Sequence, residues 1–146
     1  MLCHITQRLA SIRATIPAGV TLVCVSKFHP AEAIMEAYQC GERDFGESRV
    51  QELLSKYETL PKDIRWHFIG HLQTNKLKMV LPYVSLVQSV DSERLLDAIQ
   101  GWGATNGKII SVLLEPHVAA EETKQGFKPD EIYAVLQNAS KYDHIR

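Results

Sequence analysis

Five times within 146 residues, a short apolar or β-branched run is followed by a segment with helical periodicity. This alternation constrains the fold more than any composition figure, because strands separated by helices are built for parallel pairing. The runs lie at 21–27, 44–48, 65–70, 85–91 and 108–118, after a leading amphipathic helix at 1–16 with Ile5, Leu9, Ile12 and Ile16 on one face. The helices that follow carry Ile34, Ala37 and Tyr38; Val50, Leu53, Leu54 and Tyr57; Leu77, Val80 and Leu81; Leu95, Leu96 and Ile99; and Ile132, Val135, Leu136 and Ala139. Ser48 with Gln51, Thr74, and Asp91 or Ser92 have the spacing of helix caps. The units recur about every 20–25 residues, as βα units with short loops do. No linker divides them, so residues 1–146 are expected to form a single domain. A dinucleotide-binding sheet is disfavoured, because no Gly-x-Gly-x-x-Gly follows the first strand. A (β/α) barrel explains the spacing better, although a full one needs eight strands and about 200 residues or more. On the residues alone, an open five-stranded α/β sheet and an incomplete barrel both stand.

The first strand, TLVCVSKFHP at 21–30, ends on a lysine. Residues 21–25 read as a strand with both faces apolar, and Pro30 suits the first turn of a helix that stops at Gly41. Lys27 therefore sits at the carboxyl end of a buried strand, where α/β proteins keep their chemistry. Desolvation there would lower its pKa and free an amine able to attack a carbonyl. The plainer alternative is a lysine that snorkels into solvent or pairs with a carboxylate.

Composition excludes several classes of function. The apolar fraction is 45%, the charged fraction 23% and the net charge −1. Without a basic block, nucleic acid and anionic membrane are poor partners. No apolar run is long enough to span a bilayer, and no signal peptide is recognised. Cys3, Cys24 and Cys40 lack metal-ligand spacing. A reducing, cytoplasmic setting is expected.

Polar residues collect where a barrel mouth would lie: Lys27, Glu47 and Ser48, His67, His71 and Gln73, Ser89 and Asp91, Glu115 and His117. Several have structural explanations. Ser48, Thr74 and Asp91 are good caps, and His67, between Trp66 and Phe68, suits a satisfied core histidine. His67 and His71 span a strand end and have no third ligand at a recognisable spacing, so no metal site is expected. The loop EETKQG at 121–126 reads as solvated surface that could close over a ligand through Lys124.

Four segments, CVSKFHP at 24–30, DFGESRVQE at 44–52, WHFIGHLQTNK at 66–76 and QSVDS at 88–92, resemble, in order, the pyridoxal-phosphate homeostasis proteins of the YggS/PROSC type. The resemblance implies an alanine racemase N-terminal-like fold of the (β/α) TIM-barrel type. Here it would comprise the leading helix plus five of the eight βα units. It implies pyridoxal 5'-phosphate as cofactor, held as a Schiff base on Lys27, with Ser48, His67, Ser89 and Lys124 as further cofactor-binding residues. The implied role is an intracellular carrier that delivers the cofactor to apo enzymes without catalysis. A pyridoxal-phosphate-dependent racemase or decarboxylase is the alternative, and an inactive interaction module a second. Ser48 stands where the family usually has Asn, and Pro116-His117 where it usually has Val-Asn. Family members run well past this length, and the strands that grip the phosphate are expected to be missing. The isolated chain is therefore expected to bind the cofactor weakly. It is also expected to self-associate through the open edges of its first and fifth strands, whereas a full-length form would be a monomer.

Overall fold

The computed structural model describes residues 4–121 and 125–146. Helix α1 (His4–Arg13) leads into β1 (Cys24–Val25), α2 (Ala31–Gln39), β2 (Asp44–Glu47), α3 (Val50–Thr59) and β3 (Arg65–Phe68). Next come α4 (Leu77–Val80), β4 (Leu86–Val90), α5 (Glu93–Asn106), β5 (Val112–Leu114) and α6 (Pro129–Gln137). The strands form one sheet in the order β1-β2-β3-β4-β5, with every neighbouring pair parallel. Sequential parallel order brings all five carboxyl ends to one rim, as the alternation predicts. No helix among the described residues is long and apolar enough to cross a membrane.

Alternation along the strands sorts the side chains by face. Phe45, Trp66, Phe68 and Val87 are fully buried on the helix side, in one cluster with Leu53, Val80, Leu96 and Ile99. Fully burying such a side chain contributes about 1.5–3 kcal/mol. The opposite face carries Asp44, Gly46, His67 and Gln88, and its apolar members Val25 and Leu113 are 53% and 51% exposed. Helix α1 packs on α2, with Leu9 buried and the Thr6 amide donating to Glu36.

The structure corrects several sequence expectations. The first strand is not buried on both faces. Its ladder is confined to Cys24 and Val25, because it lies at the sheet edge with β2 alone beside it. The fifth strand does not have an open edge along its whole length. Ile110 donates to the His144 carbonyl at 2.9 Å and Val112 to that of Arg146 at 2.8 Å, so residues 144–146 pair beside it. Ser48 and Thr74 cap nothing, since the first turns of α3 and α4 start from Arg49 and Lys76 without a side-chain bond. Ser92 does cap α5, accepting from the Leu95 amide at 3.2 Å. That helix runs through Gly101 and Gly103 to end at Gly107, which takes the left-handed conformation at φ 63°. A side chain at Gly103 would sit 2.9 Å from the His144 Cβ, so the glycine admits the 144–146 segment.

Candidate functional site

The rim at the strands' carboxyl ends gathers most of the expected residues. Lys27 follows β1 in a turn, exposed, and its ammonium makes no hydrogen bond or ion pair with the described residues. It is not desolvated, contrary to the expectation for a buried strand end. The Phe28 ring lies beside it, 5.9 Å from Nζ to the centroid. Arg49 covers the same ring at 4.8 Å. Phe28 is 66% exposed and has φ 66°, a conformation that a bulky residue adopts only where its surroundings hold it there.

Lys27 and Ser48 each stand two residues beyond the registered pair Val25–Gly46. Ser48 is half-buried, and a Cβ on Gly70 would lie 2.2 Å from its carbonyl oxygen, so only glycine lets β2 and β3 approach this closely at the rim. Ser89, buried, donates its hydroxyl to the Gly70 carbonyl at 2.5 Å. The structure thus brings Ser48, Gly70 and Ser89 into one row across three strand ends. His71 and Asp91 pair at 3.3 Å just beyond it. After β5, Glu115 accepts from the Phe127 amide, and His117 donates to the Phe127 carbonyl, both at 2.8 Å. Fully buried Phe127 therefore anchors the returning loop. Lys124 lies outside the described residues.

Glu47 does not belong to the mouth. It is fully buried on the helix side, where Lys56, 6% exposed, meets it at 2.6 Å. The Lys56 ammonium also donates to the Ser26 carbonyl and to Glu52 Oε1, each at 2.8 Å. Ser26 Oγ donates to Glu47 Oε1 at 2.6 Å, and the Phe28 amide to Glu52 Oε1 at 2.6 Å. Burial alone would raise the Glu52 carboxyl pKa, but the bonds from Lys56 and Phe28 outweigh it and hold the group below its ordinary value. Sequence reasoning missed this cluster. Its available signal was the Glu52–Lys56 pair at i,i+4, a spacing that ordinarily marks a solvated helix face.

His67 sits lower, level with Gly46. Gln88 donates its amide to Nδ1 at 2.9 Å, so Nδ1 accepts and Nε2–H donates to Asp44 at 2.9 Å. Arg65 adds a two-point contact on Asp44, at 3.0 and 2.5 Å. With both ring nitrogens engaged, His67 has no nitrogen left to offer a ligand in this arrangement. Its burial and its two bonds are those of the satisfied core histidine that the sequence also allowed. Among the described residues no group of three or more His, Cys, Asp or Glu could hold a metal ion.

Residues 1–146 match the family described as alanine racemase, N-terminal domain. The pyridoxal phosphate homeostasis protein of Aquifex aeolicus is 41% identical over 126 residues, covering 86% of this chain and 55% of that protein. The chain spans about half the length of the curated relatives it matches. PipY of Synechococcus elongatus, solved without pyridoxal phosphate, superposes with a TM-score of 0.92 at 36% identity, over 98% of this chain and 67% of PipY. The form with pyridoxal phosphate bound gives 0.88. Alanine racemase from Bartonella henselae shares the fold, with a TM-score of 0.79 at 14% identity over 97% of this chain and 40% of that enzyme.

Proposed function

The chain belongs to the alanine racemase N-terminal domain family, and from that premise we propose that it binds pyridoxal 5'-phosphate through Lys27 as a carrier rather than a catalyst. The observation that carries this reading is the exposed Lys27 amine on the rim, engaged by no carboxylate among the described residues. When bound, the cofactor supplies an aldehyde that an amine can attack with loss of water. Lys27 supplies that amine. A lysine already paired with a carboxylate would have to give up the pair first; this one has none to break. Ser48 and the row built by Gly70 and Ser89 supply polar groups beside it, and we assign Lys124 to the same mouth from the resemblance of its loop. The likeness to homeostasis proteins and to PipY with its ligand supports the cofactor and the carrier role. The recipients would be apo enzymes that need the cofactor. The setting we assign is the cytoplasm, where free thiols such as Cys24 and Cys40 persist.

Borohydride reduction in the presence of pyridoxal 5'-phosphate, followed by peptide mapping, should place the adduct on Lys27. Lys27→Ala should lose it, and chiral chromatography should find no racemisation of amino acids. An adduct on another lysine that survives Lys27→Ala would overturn the assignment.

A further inference from the structure

The backbone on both sides of Lys27 is tied to one buried cation. On one side, the Ser26 carbonyl accepts from Lys56 Nζ at 2.8 Å. On the other, the Phe28 amide donates to Glu52 Oε1 at 2.6 Å, and that same oxygen accepts from Lys56 at 2.8 Å. Beneath them, Glu47 Oε1 takes both Lys56 and the Ser26 hydroxyl at 2.6 Å. The turn 26–28 is therefore held at two consecutive anchor points, with Lys27 between them and free of its own contacts to carboxylates. Phe28 at φ 66° is the conformation this anchoring sustains. A buried ion pair is a poor source of net stability, since replacing both partners by apolar groups of the same size is often neutral. What an apolar pair could not do is reach the Ser26 carbonyl and orient the carboxylate that binds the Phe28 amide.

We propose that Lys56 is a positioning residue: through Ser26 and Glu52 it fixes the turn that presents the Lys27 amine at the rim. This rests on the reading that Lys27 takes the aldehyde. It predicts that the hub governs how readily Lys27 reacts and not only whether the chain folds.

The test uses three variants of the full chain and one control variant. Glu52→Ala removes the acceptor of the Phe28 amide, Glu52→Gln keeps a carbonyl oxygen there, and Lys56→Met/Glu47→Met removes the buried pair while preserving volume. Two signals are read: exchange of the Phe28 amide hydrogen, and the rate of borohydride-trapped labelling of Lys27 by pyridoxal 5'-phosphate. One lost hydrogen bond to a charged group corresponds to a change on the order of tenfold. Glu52→Ala and the double variant should slow Lys27 labelling by about that factor and speed Phe28 exchange, while Glu52→Gln stays within about threefold of the unaltered chain. Lys78→Met, on the exposed side of α4, should change neither signal. Variants that fold and label Lys27 at the unaltered rate would overturn the proposal. Failure of the unaltered chain to label Lys27 would instead overturn the cofactor reading, and Phe28 exchange would still report whether the hub holds the turn. If the double variant does not fold, Glu52→Ala against Glu52→Gln decides.

Discussion

Two polar clusters are built into the same sheet, and they follow opposite logics. The lower one, on the face away from the helices, is a chain of side chains: Arg65, Asp44, His67 and Gln88. Every buried polar side-chain atom in it has a partner, and none of these four side chains bonds to the backbone of the rim. The upper one, on the helix side, converges on backbone: Lys56 and Glu52 reach the two residues that flank Lys27. It also contains the one buried side-chain oxygen without a hydrogen-bond partner among the described residues, Glu47 Oε2. The lower cluster has the form of a satisfied layer that fixes strand register. The upper one leaves an oxygen unmatched while it holds a strained turn, and departures of that kind are expected where function sets the geometry.

The sharpest way to break this comparison is to remove one half of the upper pair. Lys56→Met leaves Glu47 fully buried and without its cation. The expected cost is about 3–5 kcal/mol, read as a lower urea midpoint, whereas Lys56→Met/Glu47→Met should recover most of it. If the double variant stayed as unstable as the single one, the pair would matter for stability in its own right, and the contrast with the lower cluster would dissolve.

Two glycines, Gly46 within β2 and Gly70 just past β3, give a smaller and more local contrast. Gly70→Ala forces a methyl to 2.2 Å from the Ser48 carbonyl, a backbone atom that cannot step aside. Overpacking of that kind costs about 1–3 kcal/mol. It should also disturb Ser89, which donates to the Gly70 carbonyl. Gly46→Ala meets side-chain atoms alone, Ile69 at 3.3 and 3.4 Å and Val23 at 3.5 Å, and should change stability by about 1 kcal/mol or less. Thermal melts of the two variants measure the difference. Equal effects would mean that the rim is no more tightly built than the middle of the sheet.

Most of the fold was legible because the signal was long-range periodicity: five strands and their helices fell within the runs the pattern marked, whereas the pairing of residues 144–146 on the fifth strand was not expected. Strand length was not legible. An apolar run such as 21–25 reads the same whether it is covered or lies at a sheet edge, and edge position depends on the whole topology. At the site, Lys27 stood out because a strand ended on it. The group that holds its turn did not, because Lys56 sits on a helix face whose polar spacing resembles a solvated one. What buries Lys56 is β2 and the turn after β1, residues 9 and 30 positions away along the chain. The same limit applied to Glu47, whose side chain points to the helices although its position on the strand end suggested the mouth.

The lower cluster offers the mildest test, through acid. Burial of Asp44 by itself would raise its carboxyl pKa, but the hydrogen bonds from Arg65 and His67 outweigh it and hold the folded value below the ordinary 3.8. A carboxylate whose pKa is depressed on folding stabilises the native state above its unfolded value and loses that contribution as pH falls through the folded one. The unaltered chain should therefore be more stable than Asp44→Asn by a constant margin well above pH 3.8, and the margin should shrink as pH drops below it. Urea midpoints of both proteins, taken at matched pH values, give the margin directly. Comparing the two removes the shared contributions of Asp63, Glu52 and Asp97, whose carboxyls are also held low. The same series on Glu52→Gln carries the comparison to the upper cluster. There the margin should also close in acid, but Lys27 labelling should stay near that of the unaltered chain, because the Gln carbonyl still accepts the Phe28 amide. A margin for Asp44→Asn that grew on acidification would mean that Arg65 and His67 do not outweigh burial, and that the lower layer is not the self-satisfied network its geometry describes.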